Sequence, residues 1–496
     1  MLERQMTIVQ AERLPLQDHC GIIAAFSLGG DITFTHNIVK GLQALQTRGY
    51  DGAGLCTLSV SGETHSVKGE GSVSDVFSPE LIAREVDRRA KLWVGQVRYG
   101  TKGGFIAENV QPFSVNHESQ DEFFVAHNGQ FSANQNDLST KFSDTYIFAK
   151  ELEKSVGQTW EERIVDTVRT KKGAFSLIIG TKDALYLIRD ARGIRPLVYG
   201  QVMGENNTPI ILAASETKAL TEMGASEFSE VMPGTIIKFT NKKEPEIIKL
   251  EEANVEQASC IFENVYLGEG GSKSLNPREY SEAIDKASTI LTTRQRAGEI
   301  LAREAPLTKN DVDLAIGIPG TGIAGGEAYA RICGIPYSQA ITDKDKQDKR
   351  TFMSAQVDSI LEKVLKHFNF NGRMLRGKRV VLIDDSIVRG NVTLGLVRLL
   401  KENYGVQEVH LRILSPPIDK ICFLGINTRK QDELIAARNN GDVQKIQEEV
   451  GANSLAYLSG RGLIEAITGD SLTKGFCMGC MAGFKYPIDE FGKPTN

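Results

Sequence analysis

Two rhythms of apolar positions divide the chain. In the first half, short apolar runs recur between Gly, Asn and Asp: CGIIAAFSL, GAGLCTLSV, LWVGQVRYG, EFFVAHNG, FSLIIGT, ALYLIRD, LVYGQV and IILAAS. Runs of this length bounded by turn residues predict β-strands. Helical spacing is confined to 37–47, 143–155 and 160–170. Many strands with few helices predict packed antiparallel sheets covered by helices. After Phe239 the polar stretch NKKEPEIIKLEEANVEQ, rich in alternating charge, reads as a connection with some strand character.

The second half changes rhythm. DVDLAIGIP predicts a strand, then a Gly-rich turn, then the helix IAGGEAYARICG. IPYSQAI and RVVLIDD predict further strands, a helix follows from Val392 to Tyr404, Gly405 stops it, and VQEVHLRIL is the next strand. Alternation of strand and helix predicts an α/β domain with a parallel sheet, whose ligands sit at the carboxyl ends of the strands. Internal repeats and low-complexity segments are absent. The segments that follow are a leader, 1–19, a first domain, 20–250, a second, 251–470, and a cysteine-bearing tail, 471–496.

Composition narrows the function classes. The 496 residues suffice for two full cores, and 41% hydrophobic with 24% charged residues is an ordinary globular balance. A formal net charge of −5 argues against non-specific nucleic-acid binding, which needs a basic surface. Apolar runs stay below membrane-spanning length, and the mixed-charge leader lacks the apolar core of a secretory signal. Seven cysteines in so long a chain do not make a disulfide scaffold, so a reducing cytoplasm fits.

Two segments carry candidate chemistry. Removal of Met1 to His19 would leave Cys20 with a thiol and an α-amine on one residue. An α-amine with a pKa near ~7.7–8.0 serves as a local base at neutral pH, so this nucleophile needs no histidine partner. In VVLIDDSIVRGNVT, residues 380 to 393, a buried strand ends in Asp384 and Asp385. Carboxylates at the sheet rim accept from ribose hydroxyls. The loop after them offers backbone N–H groups, the Ser386 and Thr393 hydroxyls and a helix N-terminus, which suit a phosphate.

That second run resembles the ribose-phosphate signature of the phosphoribosyltransferases. The resemblance implies that Asp384 and Asp385 hold ribose hydroxyls and that Ser386, Arg389, Gly390, Asn391 and Thr393 surround the 5′-phosphate. Asn391 and Val392 stand where that family usually has two threonines. In the first half, CGIIAAF, QTRGYDGAG, GQVRYGT, AHNGQF and SDTYI resemble the N-terminal-nucleophile glutamine amidotransferases, which implies an αββα glutaminase domain. By that resemblance Cys20 is the nucleophile. Asn128 and Gly129 form the oxyanion hole, Arg98 pairs with the glutamine carboxylate, Asp144 with its ammonium, and Arg48 stands beside the nucleophile in the glutamine site.

Together the halves are similar to the amidophosphoribosyltransferase family, with further likeness in GIRPL, ASETKAL, VMPGT, CIFE, SPPI and the C-terminal tail. The resemblance implies glutamine-dependent amination of phosphoribosyl pyrophosphate, with Mg²⁺ held by Asp384, Asp385 and the diphosphate. It also implies a cytoplasmic homotetramer and inhibition by purine nucleotides. Cys260, Cys422, Cys477 and Cys480 match the ligand positions of the iron–sulfur branch. By chemistry alone four thiolates suit a 4Fe–4S cluster or tetrahedral zinc, and the family pattern favours the cluster. Cys56 and Cys333 sit in apolar contexts and read as core.

The likeness is weakest at 341–376. Lys344, Lys346, Arg350, Thr351 and Phe352 match, but Asp345 and Gln347 replace an expected Asn and Tyr, and Gly320 stands where the family usually has Asp. LGEGGSKSLN also replaces an expected run after Cys260. Two alternatives stay open at this level: an amidotransferase with a different phosphorylated acceptor, and a nucleotide-binding regulatory homologue without activity.

Overall fold

The computed structural model describes residues 20–82, 84, 89–98, 109–116, 122–132, 143–242, 244–250, 255–275, 287–344, 364–365, 367–426, 428, 430–469 and 475–495. The chain forms two compact units. One comprises Asp18–Thr293, Cys422–Asn427 and Ile467–Asn496; the other is built on Arg294–Ile421 and Thr428–Ala466.

The first unit holds two antiparallel sheets. The seven-stranded sheet runs Phe228–Glu230, Val198–Met203, Pro209–Ala214, Gly21–Ser27, Leu92–Arg98, Gly52–Leu58, Thr64–Glu70. The six-stranded sheet runs Glu246–Lys249, Thr235–Phe239, Leu185–Arg189, Gly173–Thr181, Glu122–Phe131, Phe113–Asn116. Alternation along each strand sets the layers. Ile22, Ala24 and Phe26 meet Phe124, Ala126 and Ile178 in the core between the sheets. Ile23 and Ala25 point the other way, onto Ile38 and Leu42 of the helix Thr35–Ala44 and Leu220 of the helix Thr217–Glu222. Phe123, Val125 and Leu177 pack on Phe148 and Leu152 of Asp144–Glu153 and on Ile164 and Val168 of Trp160–Arg169. Strands buried on both faces explain why the sequence shows continuous apolar runs here rather than strict alternation. The predicted helix–sheet–sheet–helix sandwich is the one found.

In the second unit four parallel strands lie in the order Leu314–Gly317, Arg379–Asp384, Glu408–Ile413, Ser454–Tyr457. The helices Gly322–Cys333 and Asn391–Glu402 follow the first two of these strands. Leu396, Leu399 and Leu400 of the second helix share a core with Leu382, Leu411 and Ile413. The parallel sheet predicted from alternation is present.

Some expectations differ in detail. IPYSQAI is not a full strand: it contributes one parallel bridge, Ala315 with Tyr337, and Pro336 has no N–H to extend the ladder. The stretch after Phe239 does have the strand character expected of part of it: Glu246–Lys249 pairs with Thr235–Phe239 and forms the sheet edge. The compact units divide after Thr293. Ala258–Cys260 pairs in parallel with Gly475–Cys477, and its backbone bonds to Arg192 and Ile194 keep this stretch with the first unit. Among the described residues no helix is long and apolar enough to cross a membrane. The leader, Met1 to His19, lies outside the described residues.

Candidate active sites

Cys20 is half-buried and immediately precedes the Gly21–Ser27 strand. Antiparallel register sets Gly21 opposite Val97, so Arg98, the last residue of its strand, arrives at the Cys20 end. Arg98 is buried. Burial pulls its guanidinium below the ordinary value, while the charges of Cys20 and Asp51 oppose that shift.

Across the sandwich, Asn128 and Gly129 lie on the Glu122–Phe131 strand. The Asn128 side chain is wholly buried, and its Oδ1 has no hydrogen-bond partner among the described residues. Gly129 has φ +142°, and a Cβ there would stand 2.0 Å from the Ala174 carbonyl oxygen. Only glycine fits that backbone, which turns a peptide N–H in a direction that other residues reach only with strain. One residue links this strand to the strand that follows Cys20. Ser215 Oγ accepts from the Ile22 N–H at 3.1 Å and from Asn128 Nδ2 at 3.4 Å. Sequence reading gave Ser215 no role; its signal was its place in ASETKAL.

Asp144 opens its helix, and Ser143 is the N-cap. Asp144 Oδ2 accepts from the Phe131 N–H at 3.0 Å and Oδ1 from the Thr145 N–H at 2.8 Å. The carboxylate is thereby fixed near the end of the Glu122–Phe131 strand. Arg48 has a different setting from the other candidates. Its guanidinium is buried, bonded through Nε to Glu216 and through Nη2 to Glu263 at 2.5 Å. Burial alone would lower its pKa; the two carboxylates outweigh that and raise it. Arg48 is thus held by two acids, and neither Glu216 nor Glu263 was singled out from sequence.

In the second unit the Arg379–Asp384 strand delivers the acid pair to its carboxyl end. Asp385 accepts from Thr321 and Ser386, and its N–H donates to Asp384 Oδ1 at 2.9 Å. Thr321 stands at the N-cap position of the Gly322–Cys333 helix and turns its hydroxyl to Asp385, so the Gly-rich loop and the acid pair form one rim. Both carboxyls are pushed above the usual range: Asp384 by burial and then by the charge of Asp385, and Asp385 by burial, against help from Ser386, Thr321 and Arg294. Gly320 has φ +89°, where the Asp of the family pattern would be strained. Arg389 pairs with Glu433 at 3.0 Å. Gly390 precedes the helix that Asn391 begins, with Thr393 in its first turn. Two adjacent oxygen donors short of counter-charge fit a hard cation that takes its remaining ligands from phosphate oxygens. Lys344 Nζ donates to the Leu365 carbonyl at 2.6 Å. Asp345, Lys346, Gln347, Arg350, Thr351 and Phe352 lie outside the described residues.

The four cysteines all belong to the first unit. Cys260 and Cys477 are register partners, Cys480 follows three residues on, and Arg195 holds the Cys422 segment by two bonds to the Leu424 carbonyl, at 3.1 and 2.6 Å. None of the seven cysteines is in a disulfide. Burial pushes the Cys260 thiol up to about 11, against the pull of Arg195. Cys477 and Cys480 are raised by burial and by the neighbouring sulfurs. Among the described residues no group of three or more His, Cys, Asp or Glu forms a ready-made metal site. The donor chemistry nonetheless suits a thiophilic cation, because three buried sulfurs and the half-buried Cys422 lie close enough to act on one another electrostatically. Cys56 lies in the core between the sheets, as expected, whereas Cys333 is only half-buried.

Comparison with known proteins bears on both halves. The family described as glutamine amidotransferase domain matches residues 104–222. The amidophosphoribosyltransferase of Synechococcus elongatus is 34% identical over 488 residues, covering 95% of this chain and 92% of that one. Its human namesake is 31% identical over 538 residues, covering 97% and 99%. The structure of glutamine phosphoribosylpyrophosphate amidotransferase from B. subtilis, complexed with ADP and GMP, superposes with a TM-score of 0.80 at 28% identity, covering 96% of this chain and 99% of that one.

Proposed function

The chain belongs to the amidophosphoribosyltransferase family, and from that membership we propose how its residues divide the reaction. The activity is glutamine-dependent amination of phosphoribosyl pyrophosphate, the first step of purine biosynthesis. With the leader removed, the Cys20 α-amine takes the thiol proton and the thiolate attacks the side-chain amide carbon of glutamine. The Asn128 amide and the Gly129 N–H stabilise the oxyanion, while Arg98 and Asp144 hold the carboxylate and ammonium of the substrate. Collapse gives a Cys20 thioester and ammonia, and water then releases glutamate. Ammonia attacks C1 of the ribose, and pyrophosphate leaves with the bonding pair. Asp384 and Asp385 hold the ribose hydroxyls, and Ser386 to Thr393 the 5′-phosphate. Magnesium bound to those acids and the diphosphate would offset charge on the leaving group.

The observation that carries this reading is the convergence of Cys20, Arg98 and Asn128 through the Gly21–Val97 register and the Ser215 bridge. Purified protein whose N-terminus is Cys20 should release pyrophosphate from phosphoribosyl pyrophosphate when glutamine or ammonia is supplied with Mg²⁺. Glutamate formation without pyrophosphate would sink the acceptor assignment.

Cys260, Cys422, Cys477 and Cys480 hold a 4Fe–4S cluster in this reading, supported by four sulfurs close enough to act on one another electrostatically. Anaerobic preparations should then contain iron and absorb broadly in the visible; stoichiometric zinc without that absorbance would overturn the assignment. A cytoplasmic location accords with seven cysteines outside disulfides. Inhibition by purine nucleotides is supported by the relative solved with ADP and GMP. Homotetramer formation rests on the family alone, and sedimentation tests it.

A further inference from the structure

We infer that Gln111, Thr145 and His127 act as a positioning brace that fixes the spacing between the oxyanion end and the head-group end of the glutamine site. The inference rests on the roles proposed for Cys20, Asn128, Gly129 and Asp144. Gln111 Oε1 accepts from the His127 N–H at 2.7 Å, one residue before Asn128. Its Nε2 donates to Thr145 Oγ1 at 3.0 Å, one residue after Asp144. One side chain therefore ties the strand bearing the oxyanion donors to the helix start bearing the ammonium acceptor. The His127 ring closes the triangle, with Nδ1 2.9 Å from Thr145 Oγ1.

Hydrogen counting orders this triangle. A threonine hydroxyl has one proton to give and accepts two. Thr145 accepts from Gln111 and from His127 Nδ1–H, and donates to Asp144 Oδ1 at 3.4 Å. The arrangement leaves only the Nε2 lone pair of His127 without a partner among the described residues. All three side chains are buried: Gln111 is 5%, His127 2% and Thr145 1% exposed. His127 is stacked on Phe131, whose N–H holds the other Asp144 oxygen. Rotation of the helix start away from the strand would therefore break several bonds at once. Glutamine spans the two ends, so their separation governs whether its amide carbon reaches Cys20.

The test uses two reagents on processed full-length protein, with labelling of Cys20 followed by peptide mass. Iodoacetamide alkylates a thiol without a head-group contact. The glutamine-shaped electrophile 6-diazo-5-oxo-L-norleucine needs both ends in register. Thr145→Val should slow labelling by the glutamine-shaped reagent and raise KM for glutamine by about tenfold. Iodoacetamide labelling should change by less than about twofold, and Thr145→Ser should restore wild-type behaviour. Gln111→Glu, which keeps the acceptor but loses the donor, should follow Thr145→Val. Equal slowing with both reagents, or no change with either, overturns the brace. If the wild type itself is not labelled at Cys20 by the glutamine-shaped reagent, the failure lies in the site assignment and takes the brace with it.

Discussion

The two units handle charge in opposite ways. In the first, buried cations come with their own anions: Arg48 lies between Glu216 and Glu263, and Arg189 pairs with Glu230. In the second, two acids share the end of one strand, with Arg294 as a partial counterweight to Asp385 alone. Arg48 and Arg189 carry their counter-charges within the fold, before any glutamine arrives. The second unit lacks positive charge that a magnesium–diphosphate ligand would bring. A scaffold that supplies its own counter-charge is rigid at rest, whereas one that borrows it is stabilised on loading.

The largest contrast should come from Cys20→Ala. Glutamine-dependent product should fall by about a thousandfold or more, while ammonia-dependent product stays near wild type, as coupled pyrophosphate assays would show. Equal loss of both would mean the halves are not separable. Next is Glu216→Ala, which leaves Arg48 with one acid and should cost about 3 kcal/mol of first-unit stability, at the low end for a broken buried pair. Urea denaturation followed by tryptophan emission measures it, because both tryptophans, Trp93 and Trp160, lie in the first unit.

The acid pair predicts a change of the other sign. Below about pH 3 the acids are protonated in both folded and unfolded chains. As pH rises, the unfolded chain ionises first, because the folded-state pKa values are raised, so the ligand-free second unit loses stability toward neutrality. Asp384→Asn should remove much of that loss and raise the ligand-free Tm at pH 7 by about 2–4 °C, the shift expected from ~1 kcal/mol. The gain should vanish near pH 3, and magnesium with phosphoribosyl pyrophosphate should stabilise the variant less than the wild type. A variant less stable than the wild type at pH 7 would break the comparison.

Legibility followed the same division. The acid pair, Ser386 and Gly390 lie within one strand–loop–helix, so their chemistry was readable as a contiguous string. Thr321, some 60 residues earlier, was not, because only the parallel pairing of two strands brings it to Asp385. The glutamine site proposed above is spread over residues 20, 98, 128 and 144, and resemblance supplied the roles proposed for them. Its supports, Ser215, Glu216, Glu263 and Gln111, are polar residues whose value exists only in tertiary contact. Thr64–Glu70 escaped notice because an edge strand with several polar, partly exposed positions has no apolar run. IPYSQAI was overread because its apolar content outweighed the missing donor at Pro336.

Ala258–Cys260 finds its β-partner only at Gly475–Cys477, more than two hundred residues later. On the ribosome, the glutaminase unit therefore emerges with its closing strand still unmade. Its last ladder forms only when synthesis is nearly finished, after the whole intervening α/β unit has had time to collapse. A nascent chain stalled in between carries both large sheets but lacks this separate two-stranded ladder.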